Sequence, residues 1–214
     1  LRHPAHVAKA ATSADQLSDG RLILGIASGD RPEEFPALGF PYASRGEAFR
    51  ESYEYIRNMQ MNTPRFGNTF GCVASGMDML PKPTGKRLPM LVTGLSQQSP
   101  EWIAENGDGW MTYPRPLGQQ SRLIDAFRER IAVAGLPDKP VVEPLYIDLT
   151  SDPDTEPRPI HLGIHAGVNK LRDYLKSRAD IGVNHIALNL RFNQRDIEKS
   201  LKVLAQEILP DFTN

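Results

Sequence analysis

Apolar positions follow two spacings along the chain, and the two spacings alternate. Short runs in which nearly every residue is apolar are typical of strands buried in a parallel sheet, whereas apolar residues every three or four positions are typical of helices. The strand-like runs are 21–27, 88–93, 109–112, 141–149 and 183–190. The helical stretches are 4–18, 44–59, the segment from 99, 123–131, 168–175 and 197–208. This alternation predicts an α/β fold with a parallel sheet and right-handed crossovers.

Several helix boundaries have recognisable chemistry. Pro4 suits a first turn, because its missing N–H would be unpaired there anyway. Ser44 and Glu47 have the spacing of a capping box, and Ser99 is a good N-cap residue. Gly135 follows a helical stretch and is expected to end it.

Two segments lack either spacing. Glycine, proline, asparagine and threonine are frequent between Gln60 and Arg87, so we predict a long excursion there with short strands near 70–73. The segment SDPDTEPRP (151–159) is predicted to be a loop.

The strand count leaves two architectures open. A closed (β/α)₈ barrel has eight strands and typically about 250 residues, whereas this chain shows five strand-like runs in 214 residues and begins at Leu1 without a methionine. The pattern fits the C-terminal two thirds of such a barrel, as a single domain over 1–214. A five-stranded open sheet is the alternative.

Composition limits the classes of partner that this protein is expected to bind. The formal net charge is −1, and 40% of the residues are hydrophobic. Neither charge is concentrated in one part of the chain, so we expect no nucleic acid and no membrane partner. No signal-peptide pattern opens the sequence, and a cytoplasmic protein is expected. Cys72 is alone, which excludes an intrachain disulfide and predicts a buried or half-buried thiol.

Four segments together resemble a known family. They are RLILGIASGDRPEEFPALGF (21–40), SRGEAF (44–49), LVTGLSQQSPEWIAENGDGWMTYPRP (91–116) and GVNHIALNLR (182–191). Their order and spacing resemble the bacterial luciferase-like monooxygenase superfamily, and in particular its luciferase-type flavin-dependent oxidoreductases. The resemblance implies a TIM barrel with an insertion at about 60–87, of which the first three strands would precede Leu1.

The resemblance also implies a function. Members of the superfamily use reduced FMN or, in some branches, the deazaflavin F420, on a small organic substrate. For this chain it implies an FMN-dependent monooxygenase that uses O₂, with a flavin reductase as supplier of reduced flavin and a homodimer as the assembly. The alternatives are an F420-dependent oxidoreductase, a noncatalytic or vestigial flavin-binding protein with an incomplete barrel, and a piece of a longer enzyme.

The strongest candidate binding site joins a predicted strand end to a predicted helix start. Unpaired amides at such a junction favour an anion. Gly94 permits close backbone approach, and the hydroxyls of Ser96 and Ser99, which flank Gln97, can donate to phosphate. The resemblance assigns Ser96 and Ser99 to the FMN phosphate. From the residues alone, Ser99 could be only an N-cap and Ser96 only a solvated loop residue.

Further candidates lie at other strand ends. The resemblance places Ser28 and Gly29 at the carboxyl end of the fourth barrel strand, where TIM-barrel active sites lie. Trp110 and Tyr113, close to Thr112, could wall a flavin or an apolar substrate. Core packing is the alternative for Trp110.

Other polar residues have weaker signals. His161 and His165 are four apart, but nearby glycines make a continuous helix doubtful and no HExxH glutamate is present, so we predict no metal. His185 has the alternation of a core strand residue, and Arg191 could bind an anion at the strand end. The chain has no GxSxG elbow, Walker loop or GxGxxG fingerprint. No catalytic base can be named.

Overall fold

The computed structural model describes residues 2–74 and 76–212, and the chain divides into two compact units, 1–108 and 109–214. The described strands are β1 Leu24–Ile26, β2 Phe66–Asn68, β3 Gly71–Val73, β4 Met90–Thr93, β5 Gly109–Met111, β6 Val141–Leu149, β7 Arg158–Ile160, β8 Gly163–Ala166 and β9 His185–Asn189. The described helices are α1 Pro4–Leu17, α2 Glu34–Ala37, α3 Arg45–Met59, α4 Pro100–Asn106, α5 Leu117–Val133, α6 Val168–Asp180 and α7 Ile197–Val203.

The first unit is built on two parallel strands. β1 pairs with β4 so that Leu24 lies opposite Met90, and β4 is buried along most of its length. Helix α1 packs against α3. His3 caps α1 by accepting a hydrogen bond from the amide of Ala5, and Pro4 occupies the first turn as predicted.

The predicted excursion over 60–87 is anchored to these two helices. It contains the antiparallel β2–β3 hairpin, which agrees with short strands near 70–73. The carboxylate of buried Asp15 on α1 accepts a hydrogen bond from the backbone amide of Thr84 at 2.7 Å, and the side-chain Nδ2 of Asn68 donates to the carbonyl of Glu51 on α3. Cys72 on β3 is exposed, so the expectation of a buried thiol was wrong, since the hairpin presents that side chain to solvent.

Strand β6 organises the second unit. Val142 is in register with both Met111 of β5 and His185 of β9, so β5 and β9 lie on opposite edges of β6. Farther along β6, Tyr146 is in register with Gly163 of β8 and Asn189 of β9. Because β9 occupies one edge of β6, β8 lies on the other edge, the same edge as β5. All these pairs are parallel, and only β7 joins β8 antiparallel.

The two faces of β6 differ in chemistry. Its alternate residues Leu145, Ile147 and Leu149 belong to a buried apolar cluster with residues of β8 and α6. Tyr146 and Asp148 lie on the opposite face, because successive side chains of a strand alternate. The second unit therefore has a helix-covered apolar face and a face that carries polar groups.

Local structure departs from the sequence predictions in several places. The segment around His161, predicted as loop and doubtful helix, forms the β7–β8 hairpin, because Gly163 lets the backbone of β8 approach Tyr146 more closely than any Cβ would allow. Helix α3 begins as predicted, but Ser44 makes no capping bond and its hydroxyl donates to Pro41. Past α7 the chain continues as a π-helical turn, Leu204–Ile208, and a 3₁₀ turn.

Candidate functional site

The loop between β4 and α4 has an unusual backbone. Gly94, Ser96 and Gln97 all have positive φ angles, of 59°, 48° and 60°. Left-handed backbone is uncommon for residues other than glycine and is held only where the surrounding structure imposes it. The loop is therefore strained, and such strain is concentrated at functional sites.

The strained loop leaves backbone donors unused. Among the described residues, no acceptor is found for the amides of Leu95, Ser96 and Gln97, although the amide of Gln98 donates to the carbonyl of Leu95 at 2.8 Å. Successive amides in such a turn form a concave anion-binding nest. The loop thus has the donor set for a phosphate or a comparable anion.

The two serines of this loop make different contacts. Ser96 is buried, and its hydroxyl donates to the carbonyl of Thr93 at 2.7 Å, so its proton stabilises the turn. Ser99 is exposed, and its oxygen accepts from the amide of Trp102 at 3.1 Å as the N-cap of α4. Within the described part of the chain, the Ser99 proton has no acceptor, so this hydroxyl can cap the helix and donate to a ligand at the same time.

A buried glutamine holds the loop in place. The Gln98 Nε2 donates to the carbonyls of Gly46 at 2.8 Å and Ser96 at 3.1 Å. Its Oε1 accepts from Arg50 Nε at 3.1 Å and Nη2 at 2.9 Å. The sequence analysis missed Gln98 and Arg50, because their relation joins residues 48 positions apart.

Ser28 and Gly29 border a cavity in the first unit. The cavity has a volume of about 370 Å³ and is lined mainly by apolar residues of α1, β1 and α3. Gly29 has a φ of 85°, which favours glycine, and a Cβ there would lie 3.1 Å from the ring of Phe35, a tight contact that the ring would have to relieve.

Arg45 is a second residue that the sequence analysis missed. It lines this cavity, its guanidinium lies 3.8 Å from the centre of the Tyr42 ring, and its Nη1 donates to the Tyr42 carbonyl at 3.1 Å. Its buried Nε has no hydrogen-bond partner in the part of the chain that the structure describes. Its neighbour Gly46 touches the β4–α4 loop, since a Cβ on Gly46 would lie 2.8 Å from that of Gln97. The only sequence signal for Arg45 was its place in the SRGEAF segment, which was interpreted as the capping box of a helix.

The candidates of the second unit do not all face the same environment. Trp110 is buried, and its ring lies 5.3 Å from that of Phe127 on α5, the contact expected of core packing. Thr112 is buried and accepts from Arg115 Nη1 at 2.7 Å. Tyr113 is 43% exposed. A cofactor contact by Trp110 or Tyr113 stays a prediction.

The histidines of the second unit also differ. His165 Nδ1 lies 2.7 Å from Asp148 Oδ2, whereas His161 packs near the rings of Tyr146 and Phe192. His185 is exposed on β9, so its interpretation as a core strand residue was wrong. The Asp148 partner was missed, because its 17-residue separation from His165 follows no motif.

In the described ranges, 2–74 and 76–212, no helix combines the length and apolar character that a membrane span needs.

Comparison with known proteins identifies relatives. A family model described as luciferase-like monooxygenase matches residues 1–156. An uncharacterized protein of Mycobacterium tuberculosis is 27% identical over 170 residues, which cover 75% of this chain and 56% of the relative. An FMNH₂-dependent dimethylsulfone monooxygenase of Pseudomonas fluorescens is 31% identical over 132 residues, 60% of this chain and 36% of that protein. The chain spans about half the length of the curated relatives it matches.

Solved structures agree in fold. The monooxygenase RslO1 from Streptomyces bottropensis superposes with a TM-score of 0.83 at 18% identity, covering 99% of this chain and 75% of that chain. An F420-dependent secondary alcohol dehydrogenase gives a TM-score of 0.78 at 16% identity, covering 99% and 76%. The predicted α/β class with a parallel sheet is confirmed, and it matches luciferase-like TIM barrels. The described strands do not close into a complete barrel.

Proposed function

Since the chain belongs to the luciferase-like monooxygenase family, we propose that it contributes the cofactor-binding part of a flavin-dependent oxidoreductase. The finer proposal is an FMN-dependent monooxygenase that uses reduced flavin and O₂ on a small organic substrate. A flavin bound here would supply the redox chemistry, and the protein would bind, orient and shield it.

The observation that carries this proposal is the set of unused donors in the β4–α4 loop. The amides of Leu95, Ser96 and Gln97 and the hydroxyl of Ser99 are donors without acceptors among the described residues. A flavin phosphate needs such donors, and Gly94 leaves open space beside them, because a Cβ there would meet nothing within 4 Å. Ser96 would take part through its amide, since its hydroxyl proton is given to Thr93.

Arg45 supplies the positive charge that the loop itself lacks. Its Nε is buried without a partner among the described residues, and a buried N–H of a guanidinium that lacks an acceptor gains by binding an anionic oxygen. The adjoining cavity bordered by Ser28 and Gly29, of about 370 Å³, lies within the usual range for small-molecule sites. We propose that Arg45, Ser28 and Gly29 act with the loop in holding the ligand.

An F420-dependent oxidoreductase is the second candidate, because the F420-dependent alcohol dehydrogenase matches nearly the whole chain in fold. The FMNH₂-dependent relative favours FMN. We further propose a separate flavin reductase as the source of reduced flavin and a homodimer, both of which rest on the family alone, and we keep the cytoplasmic location expected from the sequence.

The test is a fluorescence-quenching titration of FMN and F420, each oxidised and reduced, with wild type, Ser99→Ala and Ser99→Asp. Aspartate keeps the N-cap acceptor for Trp102 but cannot donate to phosphate and repels it. We expect Ser99→Ala to weaken FMN binding roughly fivefold, the worth of one hydrogen bond, and Ser99→Asp to weaken it more.

Ser13→Ala is the matched control, since among the described residues that hydroxyl bonds only the Lys9 carbonyl on α1, and it should leave FMN affinity unchanged. If Ser99 is only an N-cap, Ser99→Asp will bind FMN as wild type does. No saturable binding of any flavin by the wild-type protein would contradict the whole proposal. Binding without O₂-dependent turnover would instead support the noncatalytic flavin-binding alternative.

A further inference from the structure

The polar face of the second unit carries a buried carboxylate beside an imidazole. Asp148 and His165 are in register on the adjacent parallel strands β6 and β8, each one residue before its strand ends. Side chains in register on neighbouring strands share a face. Both groups therefore lie at the carboxyl ends of the strands, away from the apolar cluster under α6.

Both carboxylate oxygens of Asp148 have hydrogen-bond partners. Asp148 Oδ2 lies 2.7 Å from His165 Nδ1, and Asp148 Oδ1 accepts from the amide of Gln194 at 2.9 Å. An ionised carboxylate can only accept, so in the neutral imidazole Nδ1 carries the proton and Nε2 has a free lone pair. Among residues 2–74 and 76–212, Nε2 has no partner, so the base is available to a ligand.

The segment after β9 shapes the surroundings of this base. Besides the Gln194 amide on Asp148, Asn193 Oδ1 accepts from the amide of Leu149 at 3.0 Å. These two bonds hold Phe192 with its ring 4.8 Å from that of Tyr146, which lies two residues before Asp148 on the same face. Two half-buried aromatic rings thus pack together on the face of β6 that carries Asp148.

Charged groups of both signs follow these strand ends, since the loop after β6 carries Asp152, Asp154 and Glu156 and the neighbouring segments carry arginines. Arg158 of β7 is in register with His165, and Arg195 donates to the carbonyl of Thr150, just past the end of β6. His161 lies on the β7–β8 turn beside Tyr146. A ligand that loses a proton to Nε2 becomes an anion, which these arginines would stabilise.

We propose that Asp148 and His165 form a proton-accepting dyad that binds the acidic hydroxyl of a small aromatic or apolar molecule, with its body against Tyr146 and Phe192. The ligand O–H bond breaks, an N–H bond forms at Nε2, and the resulting imidazolium stays paired with the Asp148 carboxylate. His165 contacts the ligand, and Asp148 is a positioning residue. That this molecule is the organic substrate rests on the proposed flavin-dependent function; the dyad itself does not.

The binding test uses 4-nitrophenol, whose phenolate absorbs differently from the phenol, at a pH below the pKa of the free phenol. We expect wild-type protein to cause a saturable rise in phenolate absorbance. His165→Gln and Asp148→Asn should each weaken this binding at least roughly tenfold, because a charge-assisted hydrogen bond is lost. His185→Gln is the control and should match wild type, because His185 is exposed on β9, next to β6, and has no carboxylate partner in the described ranges.

The positioning role of Asp148 has its own spectroscopic test. Nitrogen NMR of wild-type His165 should show the proton on Nδ1. In Asp148→Asn the side-chain oxygen can still accept from Gln194, but the amide then donates to Nδ1, so the proton should move to Nε2. If Asp148 only holds His165 in place, the amide oxygen of the Asp148→Asn variant would accept the same hydrogen bond from Nδ1, and the tautomer of His165 would not change.

The proposal is overturned if wild type gives no saturable signal, if His165→Gln binds as wild type does, or if wild-type His165 carries its proton on Nε2. The FMN titration is run on the same proteins. Loss of phenol binding in His165→Gln with no flavin binding by any variant would refute the flavin function and retain the dyad. Flavin binding together with phenol binding that His165→Gln does not affect would refute the dyad alone.

Discussion

The ion pair between Glu143 and Arg178 is buried in the second unit, and it leads to a prediction with a defined magnitude. Both side chains are 1% exposed. Arg178 Nε and Nη2 donate to the two carboxylate oxygens of Glu143 at 3.0 and 2.8 Å, and Nη1 donates to the carbonyl of Arg115 at 2.8 Å. The pair therefore joins β6 and α6 to the loop that carries Tyr113.

Replacing one residue of this ion pair should lower the free energy of unfolding much more than replacing both. Glu143→Leu leaves the guanidinium buried without its counter-charge, which typically costs about 3–5 kcal/mol, a large share of a stability of about 5–15 kcal/mol. Arg178→Met should cost a similar amount. In the double variant no charge stays buried, and the main loss is the donor to the Arg115 carbonyl, so we expect only about 1–3 kcal/mol.

Urea unfolding followed by circular dichroism measures these free energies by linear extrapolation. The control is Glu198→Gln, which breaks the exposed pair with Lys202 and should cost less than about 0.5 kcal/mol. The reasoning is refuted if Glu143→Leu costs no more than this control. It is also refuted if the double variant loses the sum of the two single losses, because the pair would then have no coupling.

Three further predictions concern other parts of the chain. Gly163→Ala would place a Cβ 1.9 Å from the Tyr146 carbonyl oxygen, so β8 must separate from β6; urea unfolding should show a loss of at least about 1–3 kcal/mol, and hydrogen exchange in β8 should rise. Burial raises the pKa of the Tyr53 hydroxyl above 10.0 in the folded protein. The contribution of this hydroxyl to the free energy of unfolding is therefore complete below pH 10.0 and is lost as the pH rises through the pKa of the folded protein. Tyr53→Phe should therefore flatten the alkaline decline of unfolding free energy, and an unchanged decline would contradict this. Gln98→Leu removes the bonds that hold the strained loop, so FMN affinity should fall roughly tenfold and loop amides should exchange faster, whereas equal affinity would show that the loop shape does not depend on Gln98.

Much of the secondary structure could be predicted from local sequence. Buried strands such as Val141–Leu149 were visible as apolar runs, and α3 was visible in its apolar spacing. Local patterns work for these elements because strand and helix periodicity repeats every few residues. The Ser99 N-cap was also predictable, since it depends only on residues three positions apart.

The β7–β8 hairpin shows where local patterns failed. Its residues carry prolines and glycines that discourage regular structure, and it forms because β8 gains a pairing partner in β6. The capping-box bond of Ser44 failed for a related reason, since the serine backbone is not in the extended conformation that a side-chain cap needs.

The sequence by itself therefore determined the alternation of strands and helices, the family, and the β4–α4 loop as the candidate phosphate site. Only the tertiary structure decided how the functional groups are arranged. It brought Gln98 to Arg50 and His165 to Asp148, left the buried Nε of Arg45 without a partner among the described residues, and placed Trp110 against Phe127. The physical reason is that periodicity depends on neighbours in the chain, whereas hydrogen-bond partners and burial depend on which distant segments pack together.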